Sequence, residues 1–551
     1  MPAAKTTKQR KAVKQLCKRV KPKGTRRAKT VCRPKRKKRG AAKKRVAAKK
    51  PVLLAPARPP ASVITLPPVT GGGAVLVPTA AAPPVTTPAT PGPAPPERPP
   101  ESTPGVPICT AQFGVAQATR LLWRAGFGPK PGQAEALAEL GLVAAVHSLT
   151  RPDGTATLVG AEPTVDGVPI APDDAWGHDH LWWLDRMVRS DQPLVERMTL
   201  IWHDWLATSN SDVNSVPLMR GQNELFRRHA LGKFTDLITD VTIDPAMLVF
   251  LSGIDNHRWA PNENYARELM ELFTLGADRG AYTEADVRSL ARAMTGWRAD
   301  WDDAVGLVNF RFDPNRHDAT TKTLWAGTAY EARGTFGWRE ACKIVLSNPF
   351  HRSHFVSKLW SYFIPSPPSP STQAGLEALY VSSGRSIGPV VEAILMHPDF
   401  YKGAPLVKPP VVYMAGLLRA TGQTITQDVW VWLASLAGQV LFYPPNVAGW
   451  NDRAWLDTST VYGRWWIAAY ALYPSLPSHG SWADSTETPT QALAAAIAAA
   501  GRPPLTPETY AALLAFAQQP APAGESAAGY RSLRQNALRH LIASCPDAQL
   551  S

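Results

Sequence analysis

The first 50 residues carry 23 Lys and Arg and neither Asp nor Glu. So dense a like-charge run repels itself and has too little apolar surface to offset the entropy lost on folding, which predicts a disordered arm at residues 1–50. The formal charge of +16 is therefore the sum of two unlike parts. The chain has 60 Lys and Arg against 44 Asp and Glu, and beyond residue 50 only 37 basic groups face all 44 acidic ones. The body is mildly acidic. The arm would hold a polyanion, either nucleic acid or an acidic wall polymer, with steep salt dependence. The plainer alternatives are a solvated tail or a start codon set too early.

Residues 51–110 hold 18 of the 53 prolines among Ala, Thr and Gly, a composition that makes a semi-extended linker. Its apolar patches, 51–56 and 74–78, are too short for the roughly 7–15-residue hydrophobic region of a signal peptide. No run of about 18 apolar residues marks a transmembrane segment. Cys17 and Cys32 flank the turn-forming Pro22-Lys23-Gly24 and would close a small basic hairpin in an oxidising compartment. Cys109, Cys342 and Cys545 are scattered, and no Cys-x-x-Cys pair suggests a structural zinc site.

At 44% hydrophobic with 19 Trp, the body can bury a sizeable core. Helical spacing dominates and β-branched alternation is scarce, so the expected fold class is all-α, with a single helical domain over 111–551. Over 193–207, Leu194, Met198, Ile201, Trp202, Trp205 and Leu206 share one stripe, Glu196, Thr199 and His203 take the other face, and Pro193 suits the first helical position. Asp244-Pro245 opens another helix, and Pro261-Asn262 opens one over 263–275 that Gly276 stops. A capping box at Thr283 to Asp286 starts a helix ending at Thr295. Two stretches, 297–338 and 443–456, read as large aromatic loops. Helical spacing resumes at 372–380 and 389–395, and helices at 491–500, 507–518 and 530–543 close the chain.

Several strings are specific enough to compare with known families. They are Leu121-Leu122-Trp123-Arg124-Ala125-Gly126-Phe127-Gly128; Glu196-Arg197-Met198 with Trp202-His203-Asp204-Trp205 and Ala207-Thr208-Ser209; and the long run Pro261-Asn262-Glu263-Asn264-Tyr265-Ala266-Arg267-Glu268-Leu269 to Gly276. Thr295-Gly296-Trp297, His317-Asp318 with Lys322, and Pro444-Pro445-Asn446-Val447 with Gly449-Trp450 follow in order. Together they resemble the bacterial family catalogued as domain of unknown function 1800. The resemblance implies a helical domain without an established activity. Members often carry an export signal, which points to the cell envelope or secretion, but here the basic arm stands where such a signal would be. A cytoplasmic location stays open.

Candidate chemistry concentrates on the 263–275 helix. Glu268 and Glu271, three residues apart, are neighbours on one face, and converging carboxylates can hold a divalent metal or divide into acid and base. The alternative is an ion-pair network with Arg267, Arg288 and Arg292. His203, between two Trp residues, is a general base or metal ligand, or a hydrogen-bonded core histidine. His317 and Asp318 sit on an irregular stretch from which both can reach one ion. If these five converge, they offer the nitrogen and oxygen ligands of a zinc, iron or manganese site. Asn262, Asn264, Arg267, Trp297, Asn446 and Trp450 are the substrate-binding candidates, since Trp beside polar groups stacks sugar rings or else fastens long loops.

The leading expectation is a hydrolase-like enzyme with a carboxylate/histidine site, metal-bound or not, that acts on an envelope-associated or carbohydrate-like polymer. The alternatives are a non-catalytic envelope binding or assembly protein tethered by its arm, and nucleic-acid association through the arm alone. Deleting residues 1–50 should abolish salt-sensitive binding to a polyanion and leave the body's circular dichroism unchanged. If the shortened chain bound DNA with the original salt slope, the role given to the arm would fail.

Overall fold

The computed structural model describes residues 103–482 and 486–551; the basic arm, the linker up to residue 102 and the Cys17–Cys32 pair lie outside the described residues. The described chain is mostly helical, with few and short strands. Helices begin where a proline follows a capping position: Pro193–Trp205, Pro245–Phe250 and Pro349–Ser361. The ring presets φ, and the N–H it lacks is one that a first turn leaves unused. Asp244 caps its helix by accepting from the Met247 N–H at 3.0 Å. The Thr283/Asp286 capping box forms as expected; its helix, Glu284–Ala293, ends just short of Thr295, and Gly296 leaves at φ +117°.

Two local expectations are corrected. Residues 297–338 are not merely a loop: Trp297–Asp302 pairs antiparallel with Gly306–Phe312, and Lys322–Leu324 with Ala332–Gly334. Cross-strand pairs hold the first hairpin, with Trp297 opposite Phe312 and Arg311 on Asp300 at 2.6 Å. The 263–275 helix is a short α-helix, Asn264–Glu268, that continues as a π-helix, Leu269–Thr274. There the Leu275 N–H reaches back five residues to the Met270 carbonyl at 2.9 Å, and the Thr274 hydroxyl donates to the Leu269 carbonyl. No residue of the Pro193–Trp205 helix is exposed. Glu196 and Thr199 are fully buried and His203 nearly so, because Arg227 and Arg186 meet the Glu196 carboxylate at 2.6 and 3.2 Å. Paired in this way, the charge tolerates burial.

Side chains gather into three cores. The first packs Leu121, Leu122, Leu194, Met198, Trp202 and Trp205 with Phe234, Phe273 and Phe355. The second joins Trp123, Phe127 and Leu200 to the helices His178–Arg189, Pro410–Ala420, Val429–Leu436 and Thr458–Leu472. The third is formed by Pro489–Ala499, Pro507–Ala517 and Ala527–Ser544. The helices Val115–Arg124 and Pro193–Trp205 therefore feed both of the first two cores and lie on the seam between them. No helix among the described residues is long and apolar enough to cross a membrane.

Burial holds His180, His203 and His351 neutral, each pushed down to about 3. A lowered histidine pKa means that the unfolded chain takes up a proton that the fold refuses, so stability should fall as pH drops from about 6.5 toward about 3, by up to about 1.4 kcal/mol per pH unit for each group. Urea unfolding at about pH 7 and about pH 5 reads this directly, and His351→Gln should flatten the slope. Equal stability at the two pH values would contradict it.

Candidate functional site

On the Pro193–Trp205 helix, the residues spaced i, i+3, i+4 and i+7 from Arg197 are Leu200, Ile201 and Asp204, a single stripe on the side away from Met198 and Trp202. That stripe lines a cavity of about 490 Å³. The facing wall comes from the end of Pro349–Ser361, with Lys358, Ser361 and Tyr362, and from the segment 405–409, which includes Lys408. Trp123 forms part of the floor, and the 443–456 loop contributes Trp450, Asp452, Arg453 and Trp455.

Asp204 fastens three of these walls together. Its Oδ2 accepts from the Tyr362 hydroxyl at 2.7 Å and its Oδ1 from the Trp450 N–H at 2.8 Å. The loop can approach this closely because Gly449 sits at φ +86°, and a Cβ there would collide with both the carboxylate and the main-chain oxygen of Asp204. Burial raises the Asp204 pKa, while the two donors and the Lys358 ammonium act against the rise.

The cations of the cavity are poorly solvated. Burial lowers Lys358 to about 8, with Asp204 pulling it back up, and lowers Lys408 to about 7, with Arg464 adding to the fall. Lys408 lies 3.6 Å from the Trp123 ring centre and donates to the Ala548 carbonyl at 2.8 Å. Arg197 is 94% buried (6% exposed) and stays charged at neutral pH, but its Nε and Nη1 have no hydrogen-bond partner. The indole N–H groups of Trp123 and Trp455 are likewise buried and unpartnered. Every buried, unpartnered side-chain polar atom on the lining residues is thus a donor.

The 263–275 motif reaches this cavity through its backbone. The Leu272 carbonyl, near the end of the π-helix, is one of the carbonyls that a helix terminus leaves without an internal partner. It accepts from Trp205 Nε1 at 3.3 Å, His354 Nε2 at 3.4 Å and Lys358 Nζ at 3.4 Å. This positions the lysine from behind.

The five residues singled out from sequence occupy three other environments. The His203 ring packs among Trp183, Trp450, Phe442 and Phe226, with ring centres 5.3 to 6.2 Å away and with Nε2 unpartnered, as a neutral core histidine. Glu268 and Glu271 are half-buried neighbours: burial and then the Glu271 charge raise the Glu268 pKa, and Glu271 is hydrogen-bonded with Tyr282. Arg267 turns instead to Glu284 at 2.7 Å and Glu263 at 3.1 Å. His317 Nδ1 lies 2.9 Å from the Thr295 carbonyl, while Arg292 grips Asp318 at 2.7 Å and helps to hold its carboxyl well below the usual range. Among the described residues, no group of three or more His, Cys, Asp or Glu is arranged to hold a metal ion.

Of the substrate-binding candidates, Trp450 lines the cavity. Asn262 and Asn446 accept from nearby backbone N–H groups within their own turns, Asn264 is exposed, and Trp297 packs on Phe312 and Trp338. Sequence reasoning passed over Arg197, Lys358, Tyr362 and Lys408. The one available signal was the pair of opposite charges Arg197 and Asp204, seven residues apart and so on one side of the helix.

Comparison with known proteins finds that the family model described as "Protein of unknown function (DUF1800)" matches residues 120–550. No curated protein and no solved structure matches.

If Asp204 is the clamp, Tyr362→Phe and Asp204→Asn should each cost about 1–3 kcal/mol in urea unfolding. Because both act through one carboxylate, the double variant should cost clearly less than the sum of the two. Additive losses would remove the clamp.

Proposed function

This chain belongs to the DUF1800 family of proteins of unknown function, and we propose that its cavity captures an acidic, carbohydrate-like ligand, such as a uronate unit of an envelope-associated polymer. The observation that carries this reading is the one-sided lining. Arg197 and the indoles of Trp123 and Trp455 offer only donors, and Lys358, Lys408 and Arg453 add positive charge against Asp204 and Asp452. A buried guanidinium with spare N–H groups favours an acceptor, above all an anion, since a polar group left unmet in such a site is costly.

The burial of Arg197 also selects the kind of anion. To reach it, an acid group must project from its scaffold, as a carboxylate does from a sugar ring. A phosphodiester is flanked by chain on both sides and suits an open groove instead. Trp450 and Trp455 supply flat apolar walls for the ring. Residues 1–50, under the same proposal, add a salt-sensitive attraction to an acidic surface.

A hydrolase acting on such a polymer is the second reading. What favours it is the presence in one cavity of two carboxyls in unlike surroundings, Asp204 with a raised pKa and Asp452 exposed, an arrangement that can separate acid and base roles. Both Asp204 oxygens are already engaged, by Tyr362 and Trp450, which is why capture is the primary reading. Release of reducing ends by the wild type, lost in Asp452→Asn, would promote the second.

Calorimetric titration with galacturonate checks the first. Arg197→Gln should weaken binding by about tenfold or more, the value of a charge-assisted hydrogen bond. Affinity should also fall from about pH 6 to about pH 9, because Lys408 near 7 and then Lys358 near 8 lose the charge that attracts the acid. Unchanged affinity in Arg197→Gln would end this reading.

A further inference from the structure

Resting on the reading of the first cavity as an acid-recognising site, we infer that the ligand is an extended acidic glycan that continues past Trp123 into a second cavity. That space, of about 350 Å³, is bounded by the exposed start of Val115–Arg124, by Arg120 and Tyr401, and by residues 502–504. Trp123 and Ser551 line both cavities and form the boundary between them. Each alone has the size of a small-ligand pocket, and together they exceed what one sugar unit would fill.

The recognition chemistry repeats across that boundary. Arg120, one turn before Trp123, has a buried Nε without a partner, while its Nη2 donates to the Gly403 and Ala404 carbonyls at 2.7 and 3.3 Å. Tyr401 lines the same cavity, as Trp450 lines the first. None of the residues that line the second cavity is an Asp or Glu, and Arg502 is paired with Glu135 at 2.6 Å, which leaves Arg120 as its cation with a spare donor. At the junction, the Ser551 main-chain oxygen accepts from Arg124 Nε and Nη2 at 3.1 and 2.7 Å. A guanidinium with a spare donor and an aromatic side chain in each cavity suit a chain in which acid groups recur. A monomer would use one cavity.

The test is calorimetry on the full chain with galacturonate oligomers of about one to six units, in about 0.5 M salt to screen the basic arm. Affinity should rise by about tenfold or more from monomer to tetramer. Ala116→Trp, which places a bulky ring at an exposed position of the second cavity and removes no hydrogen bond, should cancel that rise and leave monomer binding as in the wild type. Equal affinity for all lengths in the wild type, or a rise that survives Ala116→Trp, overturns the inference while leaving the first cavity's role standing. Loss of length dependence together with monomer binding that ignores Arg197→Gln overturns the underlying reading instead, and absence of binding at every length overturns both. Tight binding of oligo(dT) that Ala116→Trp cancels would replace the glycan with a nucleic acid.

Discussion

A single partly buried carboxylate, Asp204, is what the rest of the site depends on. It takes one hydrogen bond from the Tyr362 hydroxyl and one from the Trp450 N–H, and so it joins the Pro193–Trp205 helix, the end of Pro349–Ser361 and the 443–456 loop. Removing a carboxylate from water is unfavourable unless donors replace the lost solvent, so the three walls can close around it only together. Gly449 makes the junction sterically feasible, because any Cβ at that position would occupy the same space as Asp204.

With the walls closed, the cavity acquires its chemical bias. The acidic group that faces Arg197 and Lys358 is the same Asp204 whose oxygens are already taken, so the cations remain attracted to it through space without being hydrogen-bonded to it. Lys358 is steadied from the other side by the Leu272 carbonyl. The π-helix therefore links the longest sequence motif to the cavity through main-chain geometry, and the carboxylates of that motif serve their own local pairs.

Much of the architecture was legible in the residues. Proline after a capping residue marked helix starts at Pro193 and Pro245, and the Thr283/Asp286 box marked another, because these signals act within one turn of chain. The hairpin at Trp297–Phe312 was hidden because its stability comes from cross-strand pairs, among them Arg311 with Asp300, which are invisible until the register is known. The π-helix was hidden for a related reason, since one hydrogen bond reaching five residues back instead of four leaves no trace in apolar spacing. The candidate site fared less well. His203 looked like a base or ligand because Glu196 shares its helix face and Asp204 follows it, but the rings of Trp183, Phe226, Phe442 and Trp450 surround it and burial keeps it neutral.

By itself the sequence determined the separation of a basic arm from an acidic body, the helical character of that body and its family, since charge density, apolar period and ordered motifs are properties of neighbouring residues. Only the tertiary structure decided which polar groups face one another. Arg197, Lys358 and Lys408 are far apart in the chain and each resembles an ordinary surface cation. They come together because two cores meet along the Pro193–Trp205 helix and leave a cavity whose buried, unpartnered side-chain atoms are all donors.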